Sequence, residues 1–77
     1  MKTTNYFEYI RTRPDRAQIL DAWIEEARVN PLRESRQGDG RVRRWLYIAE
    51  RDKYLRVIFL EDGETVHNAF FDRGFEP

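Results

Sequence analysis

The chain opens on an aromatic and β-branched patch, Tyr6-Phe7-Glu8-Tyr9-Ile10, short enough to be a strand or the lead-in to a helix. Beyond it, Ile19, Leu20, Trp23, Ile24 and Ala27 recur as one stripe of a 3.6-residue period, with Asp21, Glu25 and Glu26 off the stripe. Thr12-Arg13-Pro14-Asp15 carries the marks of a helix start: Thr12 to cap, Pro14 in the first turn, Asp15 three residues after the cap. One helix is therefore predicted from about Thr12 to Val29. Asn30-Pro31 ends it, because a residue before proline is pushed out of the helical region.

Residues 31–40 read as a polar connector ending in Gly38-Asp39-Gly40. Three strands are expected at about 41–50, 54–61 and 64–71. Asp62-Gly63 is the signature of a two-residue type I′ hairpin, and Arg51-Asp52-Lys53 makes the other tight turn. With that hairpin Glu61 faces Glu64, Ile58 faces His67 and Arg56 faces Ala69. Taking the first hairpin's loop as even in length pairs Ile48 with Val57 and Tyr47 with Ile58. An odd loop would turn that strand over.

One face then carries Val42, Leu46, Ile48, Leu55, Val57, Phe59, Val66 and Phe70, with Arg44, Glu50 and Asn68 near its rim. This is the expected core face, covered by the helix stripe. The other carries Arg43, Trp45, Tyr47, Ala49, Tyr54, Arg56, Ile58, Leu60, Thr65, His67 and Phe71. With a single helix available, this second face is expected to lie open. The fold class is α+β: one main helix on a three- to four-stranded antiparallel sheet, in one domain spanning residues 1–77.

Composition narrows the function classes. Seventy-seven residues bury only about 60 % of the surface the unfolded chain exposes, so the core is thin. Aromatics at 14 % exclude a disordered chain, and the absence of cysteine excludes disulfides, a thiol nucleophile and a thiolate metal site. With His67 the one histidine, no metal site is expected, and no cofactor either: Gly38, Gly40, Gly63 and Gly74 read as turn residues, not a phosphate cradle. The apolar run Val57-Ile58-Phe59-Leu60 is far short of the roughly 20 residues of a membrane helix, and no signal peptide is visible. A cytoplasmic location without a membrane partner is the expectation.

Net charge is zero, which disfavours a generic nucleic-acid coat. The charge is uneven, however. Residues 28–44 hold six arginines against Glu34 and Asp39, a local net of +4. Twelve of the 14 basic residues are arginine, which can fork onto phosphate or stack on bases.

That combination on the open face suits phosphoryl transfer on RNA. His67 is a proton carrier of near-neutral pKa, and Arg56 can neutralise charge developing on phosphorus. Tyr47 completes the candidate catalytic set. Trp45 and Tyr54 would stack unpaired bases, beside Arg41 and Arg43. Each residue also has a plainer reading. His67 fits an ordinary strand position, and Arg56 a surface ion pair or a cation–π contact with Tyr47. Trp45 and Tyr47 fit a subunit interface, and the arginines of 41–44 a solvated edge. A non-enzymatic module that binds a protein partner or a second copy through the aromatic face is the alternative function. RNA binding without catalysis is a third.

The order of Asn30-Pro31, Gly40-Arg41-Val42-Arg43, Lys53-Tyr54-Leu55-Arg56-Val57-Ile58 and Thr65-Val66-His67-Asn68-Ala69-Phe70 resembles small bacterial domains related to the BrnT-like and RelE-like toxins. The likeness covers roughly residues 16–73 and lies in layout. It implies a metal-independent ribonuclease neutralised by an antitoxin, with Arg56, His67 and Tyr47 or Tyr54 at the family's site positions.

Overall fold

The computed structural model describes residues 1–77. Three short helices precede a four-stranded antiparallel sheet whose strands run in simple order: α1 (Asn5–Ile10), α2 (Pro14–Ala17), α3 (Asp21–Val29), β1 (Arg33–Arg36), β2 (Val42–Ile48), β3 (Lys53–Phe59) and β4 (Val66–Phe71). The α+β layout matches the reading of the sequence. Four of its details do not.

The first concerns the helix. In place of one helix from Thr12 to Val29 there are α2 and α3, broken at Leu20, which is extended at ψ 144°. The break lets Ile19 drop into the core while Leu20 stays about half exposed, although both lie on the same sequence stripe. Thr12 caps nothing. Its hydroxyl donates to the Tyr9 carbonyl at 2.7 Å, closing α1 instead. The aromatic patch at 6–10 is α1 itself, and Thr4 is its true cap, accepting the Phe7 N–H at 3.0 Å.

The second concerns the connector. Residues 33–36 form β1, an edge strand paired with β2. Its sequence, Arg-Glu-Ser-Arg, has no apolar alternation because the strand is exposed along almost its whole length.

The third concerns the first hairpin. Ile48 pairs with Lys53 and Tyr47 with Tyr54, so the register is displaced by four residues from the Ile48–Val57 expectation. The turn is 49–52, closed by the Arg51 N–H on the Ile48 carbonyl at 3.1 Å, with Asp52 at φ 50° in the left-handed region that aspartate tolerates. The loop is even in length, so the faces of β2 and β3 stay as read.

The fourth decides the site. The Leu60–Thr65 pair closes a four-residue loop rather than a type I′ turn. Gly63 is at φ 69°, and Asp62 Oδ1 accepts the N–H groups of Glu64 and Thr65 at 2.9 Å each. Phe59 pairs with Val66 as expected, and then the register slips by one: Ile58 faces Asn68, not His67, and Arg56 faces Phe70, not Ala69. The slip is a β-bulge at His67, and it exchanges the faces of everything after it. Ala69 becomes fully buried, Phe71 packs edge-on to Trp23 at 6.3 Å on the core side, and Asn68 and Phe70 move to the far side.

The core lies between the sheet and the helices. Phe7 and Ile10 of α1 and Ile24 and Ala27 of α3 close over Val42, Ile48, Leu55, Val57, Phe59, Val66 and Ala69. Thr3 adds a parallel bridge to Val66 at the outer edge of β4. Trp45 is buried to 7 % exposure yet belongs to no part of this core. Something covers it from the opposite side.

Candidate nucleic-acid interface

On the sheet face turned away from the helices, the register builds three rows. Ser35, Arg43, Ile58 and Asn68 form one, and Arg33, Trp45, Arg56 and Phe70 the next. Tyr47 and Tyr54 form the third, and Asp72, whose N–H bonds the Tyr54 carbonyl at 2.8 Å, extends it. The middle row places Trp45 between two arginines. The guanidinium of Arg56 lies 5.4 Å from the Trp45 ring centre and 5.1 Å from that of Phe70, and Arg43 lies 5.8 Å from Trp45. These are cation–π distances.

Asp72 ties the rows together. Its Oδ2 accepts Trp45 Nε1–H at 2.9 Å and Arg56 Nε and Nη2 at 3.0 and 2.8 Å. Its Oδ1 accepts the Gly74 N–H at 3.0 Å, and this short turn folds the chain back over the sheet. Phe75 then stacks on Trp45, with ring centres 4.9 Å apart at 19°, and leans on Tyr54 at 5.1 Å. The face expected to lie open is thus partly covered by residues 72–77. Asp72 neutralises Arg56, which the bulge made possible by bringing Asp72 onto the Arg56 face.

The proposed catalytic group is not assembled. Phe70, opposite Arg56, stands three residues along β4 from His67, about 10 Å at the rise of a strand. His67 belongs instead to the N-terminal segment: its ring stacks on Tyr6 at 4.9 Å and its Nδ1 lies 3.1 Å from Thr4 Oγ1. Burial, and then the nearby Arg41 cation, lower its pKa, against a small opposite pull from Asp39. Tyr47 donates its phenol proton to Asp52 Oδ1 at 2.6 Å, and that bond is the main cause of its raised pKa. It is a half-exposed ring held protonated.

Of the expected RNA contacts, Arg43, Trp45 and Tyr54 share the face. Arg41 is partly buried at the β1–β2 turn beside Asp39, at 3.7 Å. Residues that the sequence reading missed are Arg33, Asp72 and Phe75. Arg33 lay hidden in the presumed connector, and the other two lay past the last predicted strand. The paired aromatic and charged residues of Phe71-Asp72-Arg73-Gly74-Phe75 were the available signal. Between the strap and β1 lies a shallow hollow of about 380 Å³, lined in part by Arg33, Ser35, Trp45 and Arg56. Three buried polar atoms, Ser35 Oγ, Gln37 Oε1 and Arg43 Nε, have no hydrogen-bond partner.

No group of three histidine, cysteine or acidic side chains comes together to hold a metal ion, and no helix is long and apolar enough to cross a membrane. None of the protein-family models, curated proteins or solved structures compared with this chain matches it.

Proposed function

We propose that this chain is a single-stranded-RNA-binding module whose site is the β2–β3 face. The observation that carries the reading is the row Arg33–Trp45–Arg56, an indole flanked on both neighbouring strands by guanidinium groups, with Tyr47 and Tyr54 two residues further along. Aromatic faces accept bases of any sequence, at about 1–3 kcal/mol per stacked base. Arginines beside them take the phosphates between those bases. The zero net charge is no obstacle, since three arginines on this face meet one aspartate.

Binding is proposed without cleavage. Arg56 is already neutralised by Asp72, His67 faces α1, and Tyr47 is held protonated, so no proton carrier stands beside the cation.

The test is fluorescence anisotropy with a labelled, unstructured oligoribonucleotide of about 12 nucleotides, over a range of salt. The logarithm of the affinity is expected to fall linearly with that of the salt concentration, with a slope of about −0.7 per phosphate contacted. Arg43→Gln lowers both the affinity and the slope, and Tyr47→Ala lowers the affinity at unchanged slope. A folded chain that shows no salt-dependent binding overturns the reading.

A further inference from the structure

We infer that the position now filled by the Phe75 ring is a nucleobase slot, and that residues 74–77 are its displaceable occupant. The inference rests on the RNA-binding reading and names what the site holds when it is empty of RNA.

Phe75-Glu76-Pro77 makes the contacts that one nucleotide would make. Its ring lies nearly parallel to Trp45 at 4.9 Å, with Tyr54 tilted against it and the Arg33 guanidinium 5.2 Å from its centre. Arg33 also forks onto two oxygens, donating from Nη1 to the Glu76 carbonyl at 3.1 Å and from Nη2 to the Pro77 carbonyl at 3.2 Å. A planar ring on an indole, with two oxygens of the same chain on one guanidinium, is the pattern of a stacked base with its phosphate.

The occupant can leave without dismantling the slot. Trp45 and Arg56 are held by Asp72, which opens the turn and is itself anchored to β3 by its N–H on the Tyr54 carbonyl at 2.8 Å. Gly74 adds no side chain to hold the strap, and a Cβ there would meet only Asp72 Oδ1, at 3.7 Å. Beyond it, the strap's polar ties are the two exposed bonds from Arg33 and a long one, 3.5 Å, from the Phe75 N–H to the Asp72 carbonyl. When the strap lifts, Arg33 loses these two acceptors and becomes free for a phosphate.

A ligand competing with an occupant binds more weakly by the fraction of time the slot is open. Phe75→Ala is therefore expected to bind the same oligoribonucleotide about tenfold more tightly than the wild type at equal salt. Deleting Glu76 and Pro77, which leaves the Phe75 ring in place, tightens binding by a smaller factor. Circular dichroism confirms that each variant is folded. Equal or weaker binding by both folded variants, with wild-type binding still sensitive to Arg43→Gln, overturns the strap and leaves the RNA reading standing. Absence of binding by wild type and variants alike overturns the RNA reading and the slot with it.

Discussion

Asp72 meets Arg56 through a single carboxylate oxygen, which accepts Nε at 3.0 Å and Nη2 at 2.8 Å. The same oxygen takes the indole N–H of Trp45, so one atom of one side chain holds three donors from two strands. The aspartate side chain is 11 % exposed and the arginine 26 %. This pair is therefore screened less than the other ion pairs of the surface. Asp72→Asn is expected to cost about 2 kcal/mol, read as a lower urea midpoint at unchanged slope. A midpoint equal to that of the wild type would show the pair to be an ordinary solvated contact.

Two carboxyls set the acid limit of the fold. Burial pushes Asp72 upward, but the hydrogen bonds from Trp45 and Arg56, with the Arg56 charge, outweigh it and leave the group below the usual carboxylate range. Asp62 is lowered to about 2, chiefly by the Thr65 hydroxyl and the N–H groups of Thr65 and Glu64. Both folded pKa values lie below the unfolded value of about 3.9, so the unfolded chain binds protons first as the solution is acidified. The stability these groups contribute is complete above about pH 4 and is lost as pH falls toward 2. Thermal midpoints at pH 5 and pH 2.5 should drop further for the wild type than for Asp62→Asn. Parallel drops would remove Asp62 from the account.

His67 should titrate below its ordinary 6.5, since burial and Arg41 both oppose its charge. Its folded pKa is lowered, so the stability it contributes is present above pH 6.5 and lost as pH falls through the folded value. Thr4 Oγ1 accepts the Phe7 N–H and lies 3.1 Å from Nδ1, where its hydroxyl gives or takes the shared proton according to the ring's tautomer. Nitrogen-detected NMR reads both the tautomer and the midpoint. A midpoint at or above 6.5 contradicts the assignment. Thr4→Val removes the cap and the ring contact together and should cost about 1 kcal/mol.

The bulge can be tested by two neighbours. In an unbroken hairpin Asn68 would face the core and Ala69 the open side. With the slip, Ala69 is buried at 1 % exposure and Asn68 accepts Arg16 Nη1 at 2.6 Å. Ala69→Asp is expected to unfold the chain, because an unpaired buried charge costs several kcal/mol against a stability of about 5. Asn68→Asp should be tolerated, since Arg16 then has a carboxylate to pair with. The opposite ranking in a thermal melt would favour the unbroken register.

The faces of β2 and β3 were legible, though not their register, because Val42, Ile48, Leu55, Val57 and Phe59 alternate, and alternation depends only on the pleat. The helical region was legible in its apolar positions but not in its break, since Ile19 and Leu20 look alike on a stripe and only packing separates them. Strand β1 carried no pattern because an exposed edge imposes none. Of the site, Trp45, Arg43 and Tyr54 followed from the pleat alone. Arg33 depended on a pairing that its sequence does not announce, and the exchange of Asn68 for Ala69 on a bulge with no glycine to mark it. Phe75 was missed because a turn made by Asp72 and Gly74 returns the chain over a face that the strands themselves had finished with.

The bridge between Thr3 and Val66 bears on the order of folding. The four strands are joined by short turns, so the sheet grows by closing small loops between neighbours in sequence, which is fast. The Thr4 N–H and the Lys2 carbonyl, by contrast, bond to Val66, more than sixty residues away, and Thr4 both caps α1 and touches His67. The first helix of the chain therefore acquires its dock only after the last strand exists. On a ribosome, residues 5–10 emerge well before residue 66, so α1 and its buried Phe7 and Ile10 must wait unplaced until β4 has followed them out.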